Sequence, residues 1–168
     1  MPFIVSQSRS IGGWQDVIDH FNNKGYKVVM ITQELLNDEW HDSKLGGTLN
    51  GVIDKTGDFP LSERANDIMN AKAFVGLGSG LSWLAWALRT PVVMISGFSE
   101  GYSEFEDCER ITSPKGKCSG CFNRHQLDAG DWEWCPDHKS TDRHFECTKS
   151  ISSKVVIEAI ERQLEKNS

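Results

Sequence analysis

The chain lacks a long apolar run: its most hydrophobic stretch, Leu81 to Leu88, is interrupted by Ser82 and closed by Arg89. That is far short of the roughly 20 residues needed to cross a bilayer. It also lacks an excess of positive charge, with 18 Lys and Arg against 24 Asp and Glu and a net charge of -6, which excludes the broad basic face of a general nucleic-acid binder. No secretory leader is read at the amino terminus, and the 5 cysteines form an odd set. A disulfide framework in an oxidising compartment therefore has no support, and the expected location is cytoplasmic. There is no internal repeat and no low-complexity segment. What is present, 168 residues of which 38% are hydrophobic and 10% aromatic, suits one folded domain with a small appendage and not a disordered tail.

Strand and helix signals alternate along the chain. Phe3-Ile4-Val5 reads as a strand, and Trp14, Val17, Ile18 and Phe21 form one helical face that stops at Asn23-Lys24-Gly25. Lys27 to Ile31 is a β-branched strand, which completes a βαβ opening. From Asn37 to Asp58 the chain is polar and glycine-rich, with Gly46-Gly47 and Gly57, around a short strand at Val52-Ile53. Pro60 suits a first helical turn, and Leu61, Ala65, Ile68 and Met69 are expected to stripe the next helix. A strand at Ala73 to Gly76, a helix striped by Leu81, Leu84, Ala85 and Leu88, and a strand from Pro91 to Ile95 follow. Little regular structure is expected from 98 to 150. Val156, Ala159, Ile160 and Leu164 mark a closing helix capped at Ser152-Ser153. The pattern predicts a doubly wound, Rossmann-like α/β domain over 1–168, with a metal-stapled insertion at about 105–150.

Inside that insertion, Cys118, Cys121, Cys135 and Cys147 follow the spacing C-x2-C-x13-C-x11-C. The two-residue gap lets both thiolates of a tight turn face one centre, and the later pair completes a four-thiolate set. Gly120 supplies the positive φ such a knuckle needs. Core cysteines have no reason to pair at this spacing in a polar stretch. His125, His138 or His144 could replace one thiolate, and Cys108 is a weaker candidate. Zinc is the default ion for four thiolates, and iron accepts the same set.

A second signal is Gly76-Leu77-Gly78-Ser79-Gly80-Leu81-Ser82, between a strand and a helix. Its glycines let backbone approach a ligand, and the helix start offers free N–H groups that suit a phosphate. A tight structural turn uses glycine in the same way, so the loop by itself leaves both readings open.

Taken together, Val75 to Leu88 (VGLGSGLSWLAWAL), Pro91 to Phe98 (PVVMISGF), Cys118-x2-Cys121-Phe122-Asn123, Trp132-x-Trp134-Cys135-Pro136 and Phe145-Glu146-Cys147-Thr148 resemble the carboxy-terminal half of the bacterial autotransporter heptosyltransferases. The likeness runs from the Gly13-Trp14 helix through Asp54-Lys55-Thr56-Gly57-Asp58 to the last helix. It implies a GT-B half-domain that binds an ADP-heptose-type donor for transfer to protein serines, and a four-cysteine iron site. It implies donor contacts at Lys55, Thr56, Gly78, Ser79, Gly80, Leu81, Ser96 and Gly97. Related enzymes have Asp-Ser-Gly where Gly78-Ser79-Gly80 stands, and a histidine at the position of Trp83; here the phosphate grip is left to backbone amides and Ser79.

A GT-B enzyme closes two domains, and the acceptor half is expected to be missing. Three functions follow: a minimal glycosyltransferase completed by self-association or a separate acceptor-domain chain, a non-catalytic nucleotide-binding module, or a zinc-knuckle interaction module contacting partners through Phe122, Arg124, Trp132 and Trp134. No general base is evident. Glu100, Glu104, Glu106, Asp107 and Glu109 cluster after Phe98, and Glu104 is the best single candidate as base or ribose ligand.

Overall fold

The computed structural model describes residues 2–6, 11, 13–33, 35–36, 48–131 and 133–167. The Gly46-Gly47 pair and Trp132 lie outside them. The elements run β1 (Pro2–Ser6), α1 (Trp14–Asn23), β2 (Lys27–Met30), β3 (Val52–Asp54), α2 (Leu61–Met69), β4 (Phe74–Leu77), α3 (Gly80–Ala87), β5 (Val92–Ser96), β6 (Glu109–Thr112), α4 (Glu146–Lys149) and α5 (Ser153–Lys166), with short 3-10 turns at Gly101–Ser103 and Cys121–Asn123. The strands form one six-stranded sheet in the order β3-β2-β1-β4-β5-β6, and every neighbouring pair is parallel.

β1, β4 and β5 are apolar without alternation because both of their faces are covered. Phe3, Val5, Val75, Val93 and Ile95 join Trp14, Val17, Ile18 and Phe21 of α1 and Val156, Ala159 and Ile160 of α5 in one core. Ile4, Phe74, Val92 and Met94 join Ile68 of α2 and Ala85 of α3 in the other. α1 and α5 are also tied at the surface, where Ser153 Oγ donates to Asp16 Oδ2 at 3.0 Å and Glu161 accepts from His20 at 2.9 Å and from Lys24.

Three local expectations change. Leu61 and Met69 are 66% and 62% exposed; the inward face of α2 is Arg64 and Ile68. Ser152 is the amino-terminal cap of α5 by backbone position but makes no side-chain capping bond. The stretch after Phe98 contains β6, whose sequence Glu-Arg-Ile-Thr buries only Ile111. Its polar edge residues hide the strand from a periodicity reading. The segment lacking long elements therefore begins after Thr112, later than the expected boundary near 105.

The strand order reverses between β1 and β4. In such sheets the crevice beyond the carboxyl ends at that switch point is the ligand site, and the chain leaves it through Gly78-Ser79-Gly80.

Candidate functional site

β4 ends fully buried at Leu77 and turns through Gly78 and Ser79 into α3. Ser82, itself 0% exposed, holds this turn: its Oγ accepts from Ser79 N–H at 2.9 Å and donates to Ser79 O at 2.7 Å. The Ser79 amide is thus consumed within the loop. The N–H groups of Gly80 and Leu81, in the first turn, have no intrahelical acceptor, and among the described residues no other hydrogen bond satisfies them. With the exposed Ser79 side chain they form a short row of donors at the positive end of a helix, which suits an anionic oxygen.

The glycines differ in what they face. A Cβ at Gly80 would meet nothing within 4 Å, whereas one at Gly78 would lie 2.8 Å from Glu104 Oε1 and 3.6 Å from Met94 Sδ. Gly78 is thus required by close packing beneath the loop and does not open onto the crevice. Glu104, the candidate base, is 3% exposed in its side chain. Ser96 Oγ donates to its Oε2 at 2.7 Å, Ser99 Oγ donates to Oε1, and Arg110 Nε donates to Oε2 at 2.8 Å. A carboxylate so enclosed and so fully paired serves as a tie between strand ends, not as a proton acceptor for substrate. Ser96 is 1% exposed and spends its hydroxyl on the same tie.

At the far edge of the sheet, Lys55 pairs with Asp67 at 2.5 Å. Thr56 Oγ1 donates to Asp54 Oδ1 at 2.7 Å and accepts from Leu36 N–H at 2.8 Å. Its hydroxyl is therefore structural, while the Lys55 side chain, 46% exposed, remains within reach of solvent. The sequence reading missed Arg64. Its guanidinium is buried and donates to the carbonyls of Thr32 (3.2 Å), Gly57 (2.7 Å) and Lys55, over the Phe59 ring at 4.8 Å. Burial lowers its pKa from the ordinary arginine value, while Asp67 and Glu63 oppose that shift. One signal pointed to it: an arginine four residues before Ile68 on the otherwise apolar helix face.

The cysteine segment docks against the exit of β5. A Cβ at Gly97 would lie 2.6 Å from Cys147 O, so this position admits no side chain. Gly120 N donates to Gly97 O at 3.3 Å and Phe122 N to Phe98 O at 2.9 Å. Gly120 takes the expected left-handed conformation, at φ 67. Cys121, Cys135 and Cys147 are buried, and no disulfide joins any two of the five cysteines. Burial, and then the charges of Asp137 and Cys135, raise the Cys118 thiol pKa. Among the described residues, however, no three His, Cys, Asp or Glu side chains are grouped as a ready set of metal ligands. His125 pairs with Asp137 at 3.0 Å and His144 with the Glu133 carbonyl at 3.1 Å, so both are engaged elsewhere. The donor chemistry fits a soft metal ion: buried unoxidised thiols in a segment with little regular structure of its own. Glu146 braces this segment; its carboxylate accepts from Arg143 and the Cys118 amide, and these bonds, Arg143 first, lower its pKa to about 2.

A cavity of about 840 Å³ lies at the opposite edge of the sheet, lined by Trp86, Arg89, Pro91, Cys108 and Lys166 among others. It is remote from the strand ends where the glycine loop lies.

The sequence pattern of glycosyltransferase family 9 (heptosyltransferase) matches residues 10–102. An autotransporter heptosyltransferase of Citrobacter rodentium, BAHTCr, is 44% identical over 155 residues, covering 89% of this chain and 36% of that protein. The inactive autotransporter heptosyltransferase BimC of Burkholderia thailandensis is 32% identical over 155 residues, covering 91% of this chain and 35% of its own length. Among solved structures, the dodecameric iron-containing heptosyltransferase TibC of Escherichia coli, in complex with ADP-D-beta-D-heptose, superposes with a TM-score of 0.82 at 38% identity, over 98% of this chain and 46% of that one. This chain spans about a third of the length of the curated relatives it matches.

Proposed function

Because this chain belongs to glycosyltransferase family 9, the heptosyltransferase family, we propose that it is the donor-binding part of a sugar transferase that takes a nucleoside diphosphate sugar, ADP-heptose by preference. The observation that carries the reading is the pair of unpartnered N–H groups of Gly80 and Leu81 at the carboxyl edge of β4, beside the switch point of the sheet. They would receive the diphosphate, with the Ser79 hydroxyl beside them. The complex of TibC with ADP-D-beta-D-heptose supports the choice of nucleotide and sugar. Isothermal titration of ADP, UDP and GDP, free and sugar-linked, tests it. ADP and ADP-heptose are expected to bind with Kd between about 1 μM and 1 mM, more tightly than the other nucleotides. No diphosphate binding at all would remove the reading.

Cys118, Cys121, Cys135 and Cys147 would hold one metal ion, iron on the precedent of TibC and zinc otherwise. Such an ion would order a segment that has little regular structure of its own. The cytoplasm keeps such thiols reduced. Transfer itself needs an acceptor face and a base, which we assign to a second copy or a separate acceptor-domain chain; the dodecameric assembly of TibC supports self-association. One observation favours a second reading as a non-catalytic donor-binding module: Glu104, the one acid singled out from the sequence, is spent on internal bonds, and BimC, a relative, is inactive. Release of heptose from ADP-heptose in the presence of an acceptor protein, read against ADP binding alone, separates the two. The knuckle-module reading predicts neither.

A further inference from the structure

Burying a carboxylate costs desolvation unless the surroundings repay it with well-placed donors, and Glu104 is repaid from three sides. Ser96 and Ser99 reach it from the end of β5, and Arg110 reaches it from β6. Arg110 also donates to Phe105 O at 2.9 Å, which fixes the turn that carries Glu104. The fourth side is backbone: Oε1 lies 2.8 Å from the ideal position of a Cβ at residue 78, closer than a real Cβ tolerates. Gly78 does not adopt the left-handed conformation that glycine permits. What requires glycine there is the carboxylate.

Resting on the donor-binding reading above, we infer that Glu104 is a positioning residue for the diphosphate. It does not touch the ligand. It fixes the height of the Gly78-Ser79 backbone over β5, and that height aims the N–H groups of Gly80 and Leu81. Donors aimed in advance bind without a further ordering cost. The same geometry says the carboxylate can arrive from either side of the gap. An aspartate at 78 carries its oxygens two bonds beyond its Cβ, so it can enter the space vacated when Glu104 is cut back and meet the same serine and arginine donors.

The experiment is calorimetric titration of ADP into the wild type and three variants, with folding checked by circular dichroism and thermal melts. Wild type that binds no ADP overturns the donor reading and this inference with it. Given wild-type binding, Glu104→Ala is expected to lose about tenfold in affinity. Gly78→Asp alone, which crowds two carboxylates, should lose at least as much. The double variant Gly78→Asp/Glu104→Ala should return to within about threefold of wild type, a rescue that general damage to the core would not produce. Should Glu104→Ala fail to fold, Glu104→Gln keeps the volume and removes the charge, and about fivefold weaker ADP binding is expected. Wild-type affinity in any folded Glu104 variant, or a double variant as weak as the two single losses multiplied, would overturn the assignment while leaving the donor site intact.

Discussion

A side chain added at Gly80 would meet open space, while one at Gly78 would strike Glu104. The two glycines of one motif therefore answer different questions. Gly80→Glu is expected to leave the melting temperature unchanged or slightly raised, since an acid in the first turn favours the helix by about 0.3–1 kcal/mol. It should also weaken ADP binding at least tenfold by placing negative charge beside the diphosphate, with Ser79→Ala milder at about fivefold for one lost hydrogen bond. Unchanged titration isotherms for Gly80→Glu would move the phosphate elsewhere. Arg64 is a separate case, since it serves three carbonyls at the ends of β2 and β3. Arg64→Leu should cost about 2–4 kcal/mol in urea unfolding because those acceptors lose their partner, and Arg64→Lys should not recover it, a single ammonium being unable to span the three. The loop glycines were legible because a strand-to-helix turn has few ways to be built. The engagement of Ser96, Thr56 and Glu104 was not, since a hydroxyl or carboxylate reads the same whether it faces a ligand or a neighbouring strand.

At the scale of elements, α1 and α5 share a surface tie through Glu161, whose carboxyl is held below its ordinary pKa by Lys24 first and His20 second. A depressed acid contributes stability that is fully present above its unfolded value, about 4.3, and is lost as pH falls through the folded value. Glu161→Gln should therefore destabilise the protein at neutral pH, by about 0.5 kcal/mol after screening for a side chain 32% exposed. The gap between mutant and wild type in urea titrations should close as pH drops below about 4. A constant gap from pH 7 to pH 3 would assign the effect to packing alone. The cysteine segment makes its own prediction. Elemental analysis should find one metal ion per chain, and Cys118→Ser or Cys147→Ser should lower it together with the melting temperature, while Cys108→Ser, just before β6 and outside the knuckle, should leave both near wild type. Equal losses for all three would mean that the ligand set is misassigned. Five of the six strands stood out in sequence as apolar runs or short β-branched pairs. β6 did not, because Glu109 and Arg110 read as solvated charges although both are held by partners: Arg162 and Lys166, far along the chain, for one, and Glu104, six residues earlier, for the other. For Glu109, burial pushes the pKa up, but the bonds from Arg162 and Lys166 outweigh it and hold the carboxyl low.

Across the whole molecule, the structure puts the cysteine segment beside the exit of β5, at the same end of the sheet as the glycine loop, a neighbourhood that the alternation of helix and strand did not place. Nor could it foresee how tightly the two are geared. The carbonyl of Cys147 rests on Gly97, where no side chain fits; the neighbouring Ser96 holds Glu104, and Glu104 lies under Gly78. A shift in the turn around the last cysteine has a short mechanical route to the amides that would meet the donor. Coupling between two binding events is reciprocal at equilibrium. If stripping the metal from the four thiolates weakens ADP binding by some factor, saturating ADP must strengthen retention of the metal by that same factor, about fivefold or more. Competition with a chelator, run with and without ADP, should show it, and identical metal affinities in the two titrations would mean that the gears do not mesh. The nucleotide would then act as a lock on the ion, so that a chain short of donor would also be the chain that gives up its metal first.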